Sequence, residues 1–228
     1  NGELLRQNVE DNILLETWEA VKVADIRGNF GHKQETLIKA AIILDREPET
    51  SEMVDLAMRS GIDTGELCTG AGLYSGIMNR VDRDGYGDES STSYNSIFSE
   101  SLCVILEDMA NYGKLDLKYD LAKNPRALSL LTIGGDTVVG GRGQANFGDF
   151  GSNLAMVRMI SYSTIWLSGL KLTGNPLFAQ LLYLTNGNSS KGLRYDIFTK
   201  NPESIKQEIL DIIEEHGEYP FDRSSMMT

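Results

Sequence analysis

Apolar residues recur along most of this chain at the three- and four-residue spacing of a helix face. Leu4, Leu5, Val9, Ile13, Leu14, Trp18 and Val21 mark one such stripe and predict a helix over 4–23. The run Leu37 to Leu44 is apolar nearly all round, and the polar residues Lys33 to Thr36 before it favour a buried helix over a strand. Ser51 suits the N-cap of a helix that reaches Met58, with Gly61 ending it. From Tyr94, the set Ile97, Phe98, Leu102, Ile105, Leu106 and Met109 continues a helical stripe. Further helices are expected over 115–131, broken or restarted at Pro125, and over 153–170, 176–184 and 202–216. Pro176 and Pro202 each fit a first-turn position. Strand patterns are scarce. The glycine-rich stretch Gly134 to Gly151 and the polar stretch Asn186 to Gly192 read as loops, and the chain after His216 reads as extended. Successive helix pairs with short turns make the expected class mainly α, in an α/α arrangement.

Composition narrows the partners. A chain of 228 residues can bury a sizeable core. Its net charge of −12 argues against nucleic acid or an anionic membrane surface as the main partner. A polyanionic substrate then requires locally clustered cations, for which Arg27, Lys33, Arg80, Arg83 and Arg142 are the candidates. No apolar stretch approaches the roughly 20 residues that cross a bilayer as a helix. Cys68 and Cys103 lack metal-type spacing, and a single pair of thiols does not fix the redox compartment. The chain opens at Asn1 with no leader sequence, and so reads as an internal or processed piece.

Two polar clusters each open a helix. The first is Arg27-Gly28-Asn29-Phe30-Gly31-His32-Lys33-Gln34-Glu35, where Asn29 is either a cap or a neutral amide aimed at a ligand carboxylate. His32 can titrate or hydrogen-bond there, and Gln34 offers a second amide. The second is Asp84-Gly85-Tyr86-Gly87-Asp88-Glu89-Ser90-Ser91-Thr92-Ser93-Tyr94. A phenol held at a helix entrance beside a carboxylate is a candidate proton carrier, against the plainer reading of a core tyrosine. Asp136 and Asp149, beside glycines, are ligand groups or turn formers. The glycine-rich stretch lacks the Gly-Lys-Ser/Thr ending of a phosphate loop, and neither a zinc-type His/Cys cluster nor a Gly-x-Ser-x-Gly elbow occurs.

The second cluster resembles a motif of the heparinase II/III-like polysaccharide lyases, in particular the heparinase III branch. That motif is Asp-Gly-x-x-x-Glu-x-Ser-x-x-Tyr, met here by Asp84, Gly85, Glu89, Ser91 and Tyr94. The family also opens an upstream helix with Asn, the place of Asn29, and carries a Phe-Gly-Asp turn similar to Phe147-Gly148-Asp149. A Thr-Gly-Asn-Pro turn at 173–176 follows in the same order. The resemblance implies that Tyr94 is the catalytic acid/base, that Asn29 neutralises a uronate carboxylate, and that Glu89 and Asp149 support them. It departs at one position: Phe30 stands where the family usually has His, and His32 lies two residues further on.

The family fold is an (α/α) toroid followed by a β-sandwich that supplies a further catalytic histidine. By that likeness, residues 1–216 are part of a toroid and 217–228 an extended linker toward a sandwich. No cofactor is implied, and a structural metal would belong to the sandwich. The partners implied are an acidic polysaccharide and further segments of the same protein, and the location periplasmic or secreted.

The implied reaction is β-elimination. A base removes the C5 proton of a uronic acid and an acid protonates the departing O4, while the carboxylate must be neutralised. Tyr94 takes the leaving-group step in this scheme, Asn29 with His32 or Gln34 beside it meets the carboxylate, and Arg83 and Arg142 contact the substrate. Two other readings compete. A glycoside hydrolase on the same toroid would draw two carboxylates from Asp88, Glu89, Asp136 and Asp149. A helical domain that binds carbohydrate without turnover needs neither.

Overall fold

The computed structural model describes residues 2–23, 25–26, 29–58, 72–87, 91–114, 121–139, 143–144, 162–193, 199 and 201–220. Over these residues the protein is mainly helical, as the periodicity predicts. It divides into two units: Asn1–Val81 with Ile97–Leu121, and Asp82–Ser96 with Ala122–Thr228. None of the described helices is long and apolar enough to cross a membrane.

The first unit opens with α1 (Gly2–Val9), a π-helical turn (Glu10–Leu14) and α2 (Leu15–Lys22), where the periodicity suggests one regular helix. Only Leu14, Trp18 and Val21 of its stripe are buried, while Leu4 and Leu5 remain 64% and 67% exposed. A π turn rotates the residues after it relative to those before, so one stripe need not face one neighbour throughout. Lys22 closes the end by placing its ammonium 3.5 Å from the centroid of the Trp18 ring.

The apolar run 37–44 forms the body of α3 (His32–Leu44), with Leu37, Ile38, Ala41 and Leu44 fully packed. Its partner α4 (Glu49–Met58) starts two residues before the expected N-cap, so Ser51 lies inside the helix and is exposed. The fixing hydroxyl is Thr50: it donates to the Ala41 carbonyl at 3.0 Å and accepts from the Arg46 amide at 2.9 Å. That pair of bonds closes the α3–α4 corner. Met53 and Met58 of α4 and Leu73 and Ile77 of α5 (Leu73–Arg80) complete this core with Leu102 and Ile105 of α6 (Thr92–Tyr112). No helix was expected over α5.

Helices α3 and α6 run in the same direction in this unit. Gly31 lies against Phe98 and Ser101, and fourteen residues on, Asp45 accepts from Tyr112 and Lys114. Asp45 takes the left-handed conformation that ends α3. The Tyr112 hydroxyl donates to Asp45, which pushes the phenol up to about 12. Lys114 and then Tyr112 hold the Asp45 carboxyl below its ordinary range. Both groups are solvent-exposed, so the contribution is modest. Its pH window follows from the signs. The phenol contribution is complete below about pH 10 and lost as pH rises through the raised value, and the carboxylate contribution is lost in acid. The melting-temperature difference between wild type and Tyr112→Phe should therefore shrink at both extremes; a difference that stays constant from acid to strong alkali would contradict the bond.

In the second unit, three helices begin with the same Asn-Pro device. Asn124 accepts from the amides of Arg126 and Ala127 ahead of α7 (Pro125–Asp136). Asn175 accepts from Leu177 ahead of α9 (Pro176–Thr185), and Asn201 from Ser204 ahead of α10 (Pro202–His216). Each Asn satisfies amides that the helix leaves open, and Pro at the first position gives up no bond. Pro125 therefore starts a helix, preceded by a 3₁₀ turn at Leu121–Lys123; residues 115–120 lie outside the described set. α8 (Tyr162–Thr173) pairs with α9, and the earlier part of the expected helix over 153–170 lies outside the described residues.

Gly134 and Gly135, expected in a loop, are the buried last turn of α7. A side chain at Gly135 would come within 2.1 Å of Leu181, so glycine here serves close packing. A two-residue antiparallel pair, β1 (Val138–Val139) and β2 (Gly143–Gln144), follows. Residues 217–220, read as the start of a linker, are tied down. Gln180 donates to the carbonyls of His216, Gly217 and Glu218, and the buried Tyr219 donates to Asp136 at 2.6 Å.

Candidate functional site

The described residues of each polar cluster lie at a helix entrance, one in each unit. In the first unit, residues Asn29 to His32 make a turn closed by the His32 amide donating to the Asn29 carbonyl at 3.3 Å. Gly31 adopts φ +105, a conformation that side chains rarely take, and a Cβ there would lie 2.8 Å from that of Ser101. The turn carries Asn29 half-buried and His32 exposed, with the Phe30 ring buried between them. Phe30 meets Phe98 edge-on at 4.6 Å between centroids, and the Arg80 guanidinium lies 5.4 Å from its ring centroid.

Gln34, expected beside the substrate, is buried, and its side-chain oxygen accepts from the Gly31 amide at 3.0 Å. That is the helix-capping use of an N3 glutamine, so this oxygen belongs to α3. Glu35 accepts from the Ser101 hydroxyl at 2.9 Å and pairs with Lys39. Further along the same seam, burial raises the Asp108 carboxyl, an effect that Lys39 opposes and that Glu35 and Glu107 reinforce. Burial likewise drives the Cys103 thiol up, so it behaves as a core group; Cys68 lies outside the described residues.

In the second unit, residues 82–87 fold into a tight turn. The Asp82 amide donates to Tyr86 at 2.8 Å and the Gly85 amide to Asp82 at 2.9 Å. Gly85 has φ +92 and sits directly on α7, where a Cβ would be 2.3 Å from the Ser129 carbonyl oxygen. The turn is joined to α6 through Asn95, whose side-chain oxygen accepts from the Gly87 amide at 2.6 Å. Ser91 caps the helix: its hydroxyl accepts from the Tyr94 amide at 3.3 Å, and its carbonyl accepts from the Asn95 amide. Tyr94 is half-buried on this capped first turn. Sequence reading missed Asn95; its signal is a polar side chain on an otherwise buried helical stripe.

Neither the Asn29 side-chain amide nor the Tyr94 hydroxyl hydrogen-bonds to a described residue, and neither is sealed in a packed interior. Arg83 projects into solvent with 78% of its side chain exposed, 3.8 Å from Asp84, and shares the turn that precedes α6. Glu89, Arg142 and Asp149 lie outside the described residues, as do Arg27 and Asp88. Of the carboxylates considered for a hydrolase, Asp136 is engaged by the Tyr219 hydroxyl. Among the described residues no group of three or more His, Cys, Asp or Glu side chains could hold a metal ion. No protein-family model, no curated protein and no solved structure matches this chain.

Proposed function

We propose that the protein is a polysaccharide lyase that cleaves uronic-acid-containing glycans by β-elimination, on a scaffold that is part of an (α/α) toroid. The observation that carries this reading is the state of two side chains. Asn29 and Tyr94 each head a helix on a turn fixed by backbone bonds, and each keeps its polar group out of hydrogen bonds with described residues. An amide and a phenol held ready in this way suit the two needs of elimination.

In the proposed reaction, the Asn29 amide donates to the uronate carboxylate as negative charge spreads onto it from C5. The electron pair of the broken C5–H bond becomes the C4–C5 double bond, and the C4–O4 bond breaks. Tyr94 donates its proton to O4 of the leaving sugar, with His32 beside Asn29 on the same turn. The base that accepts the C5 proton is a histidine outside this assignment or the ionised phenol itself. Arg83 and Arg142 bind acidic groups of the polymer, and Glu89 and Asp149 support the site. An acidic polysaccharide is a periplasmic or extracellular substrate, which sets the expected location.

The direct test is a screen of uronate polysaccharides for products that absorb in the ultraviolet. A lyase leaves an unsaturated sugar, a hydrolase leaves a saturated one, and a binding domain leaves the polymer intact. Asn29→Ala should reduce turnover by about 100-fold, the scale of losing one donor to a developing oxyanion, with the Michaelis constant little changed. A loss confined to the Michaelis constant would make Asn29 a simple substrate contact.

A further inference from the structure

Phe30 stands out because three residues on two elements distant in the chain hold its ring. Its ring tip rests on Gly76 so closely that a Cβ there would lie 2.0 Å from the ring carbon Cζ. One turn further along α5, Arg80 is placed over the same ring, and Phe98 of α6 meets it at 89°. Gly76 and Arg80 are four residues apart and so share one face of α5. The ring is buried at 2% exposure, whereas its chain neighbour Asn29 is half-buried and His32 is exposed.

Among the described residues, the tightest contacts of the turn are thus at its middle. Phe30 is clamped by α5 and α6, and Gly31 is pressed against Ser101 and Phe98. The two polar ends, Asn29 and His32, are linked by the bond from the His32 amide to the Asn29 carbonyl. Adjacent α-carbons are about 3.8 Å apart across a rigid peptide. A shift of the Phe30 ring that its side-chain torsions do not absorb therefore passes to Asn29 through the backbone.

We infer that the Gly76–Arg80 face of α5, acting through Phe30, is a positioning device for the turn that presents Asn29 and His32. Its catalytic meaning rests on the lyase reading of Asn29; its mechanical content does not. Phe30, Gly76 and Arg80 are positioning residues. The residue after Asn29 then serves to aim the amide at the sugar, without touching the sugar itself.

The test uses Gly76→Ala, Phe30→Leu and the double variant, with turnover, Michaelis constant and His32 amide exchange measured on each. Gly76→Ala pushes the ring aside. It should lower kcat by about tenfold or more, since a misplacement near 1 Å can cost up to about 100-fold, while KM changes less than about twofold. Its His32 amide should exchange faster. The double variant should recover most of both, because leucine is shorter than phenylalanine and leaves room for the new methyl. Where Gly76→Ala does not fold, Phe30→Leu carries the test: removing the clamped ring should lower kcat and speed His32 exchange below a cooperative melt. Folded variants with wild-type kcat and wild-type His32 exchange would overturn the device, and so would a loss that the double variant fails to restore. If the wild-type protein makes no unsaturated product from any uronate polymer, the lyase reading falls, and His32 exchange across the three variants alone decides the device.

Discussion

On the proposed mechanism, Tyr94→Phe should lower kcat for unsaturated product by about 100- to 10 000-fold, the range associated with a lost general acid, and leave the melting temperature within a degree or so of wild type. The second half of that expectation follows from the geometry. The Tyr94 hydroxyl makes no hydrogen bond to a described residue, so deleting it strands no described partner. The phenyl ring keeps its half-buried place, and the backbone amide keeps its bond to Ser91. Substrate binding should persist, because the lost proton matters only as O4 departs. Ser91→Ala is the informative control. It removes the cap and should cost about 1 kcal/mol of stability with a smaller effect on turnover. A Tyr94→Phe protein that retains most of its activity would end the assignment of the leaving-group step to this residue.

Gly85→Ala has the largest expected effect on stability. Two independent terms act at this position. The backbone sits at φ +92, where a side chain is strained by about 1–2 kcal/mol. The new Cβ would also lie 2.3 Å from the Ser129 carbonyl oxygen, and that oxygen is backbone of α7, which cannot rotate away. Relieving such a contact costs about 1–3 kcal/mol. The total of roughly 3 kcal/mol should lower the melting temperature by about 6–12 °C in a chain of this size. Activity should fall further than stability, since the turn is joined to the Tyr94 helix through the bond from Gly87 to Asn95. Gly174→Ala separates the two terms. Gly174 has φ +64 but open space around its α-carbon, so only the conformational cost of about 1 kcal/mol applies. Equal losses at the two glycines would show that the approach of the turn to α7 is not tight in solution.

Both predictions concern residues that carry the family likeness, yet their environments were not equally legible. Asp84-Gly85 marks a turn in the sequence, but nothing local says that α7 lies against the glycine. Gln34, expected as a substrate contact, is buried and its side-chain oxygen makes a capping bond with the Gly31 amide, a bond that no local pattern announces. The docking of Tyr219 was likewise unreadable, since a tyrosine beside proline at the end of a helix looks like linker. The π turn within 2–22 left no mark in the apolar spacing.

Local chemistry wrote the helices that begin with Asn-Pro and the buried faces of α3 and α6, because caps and periodicity act over a few residues and need no distant partner. Folding in three dimensions settled the rest: which glycines are pressed against backbone, which amide serves its own helix, and which ring is clamped beside Asn29. Those outcomes depend on residues tens of positions apart meeting at contact distance. A one-dimensional pattern carries no record of such meetings, and steric exclusion between packed helices creates them only once the chain has closed on itself.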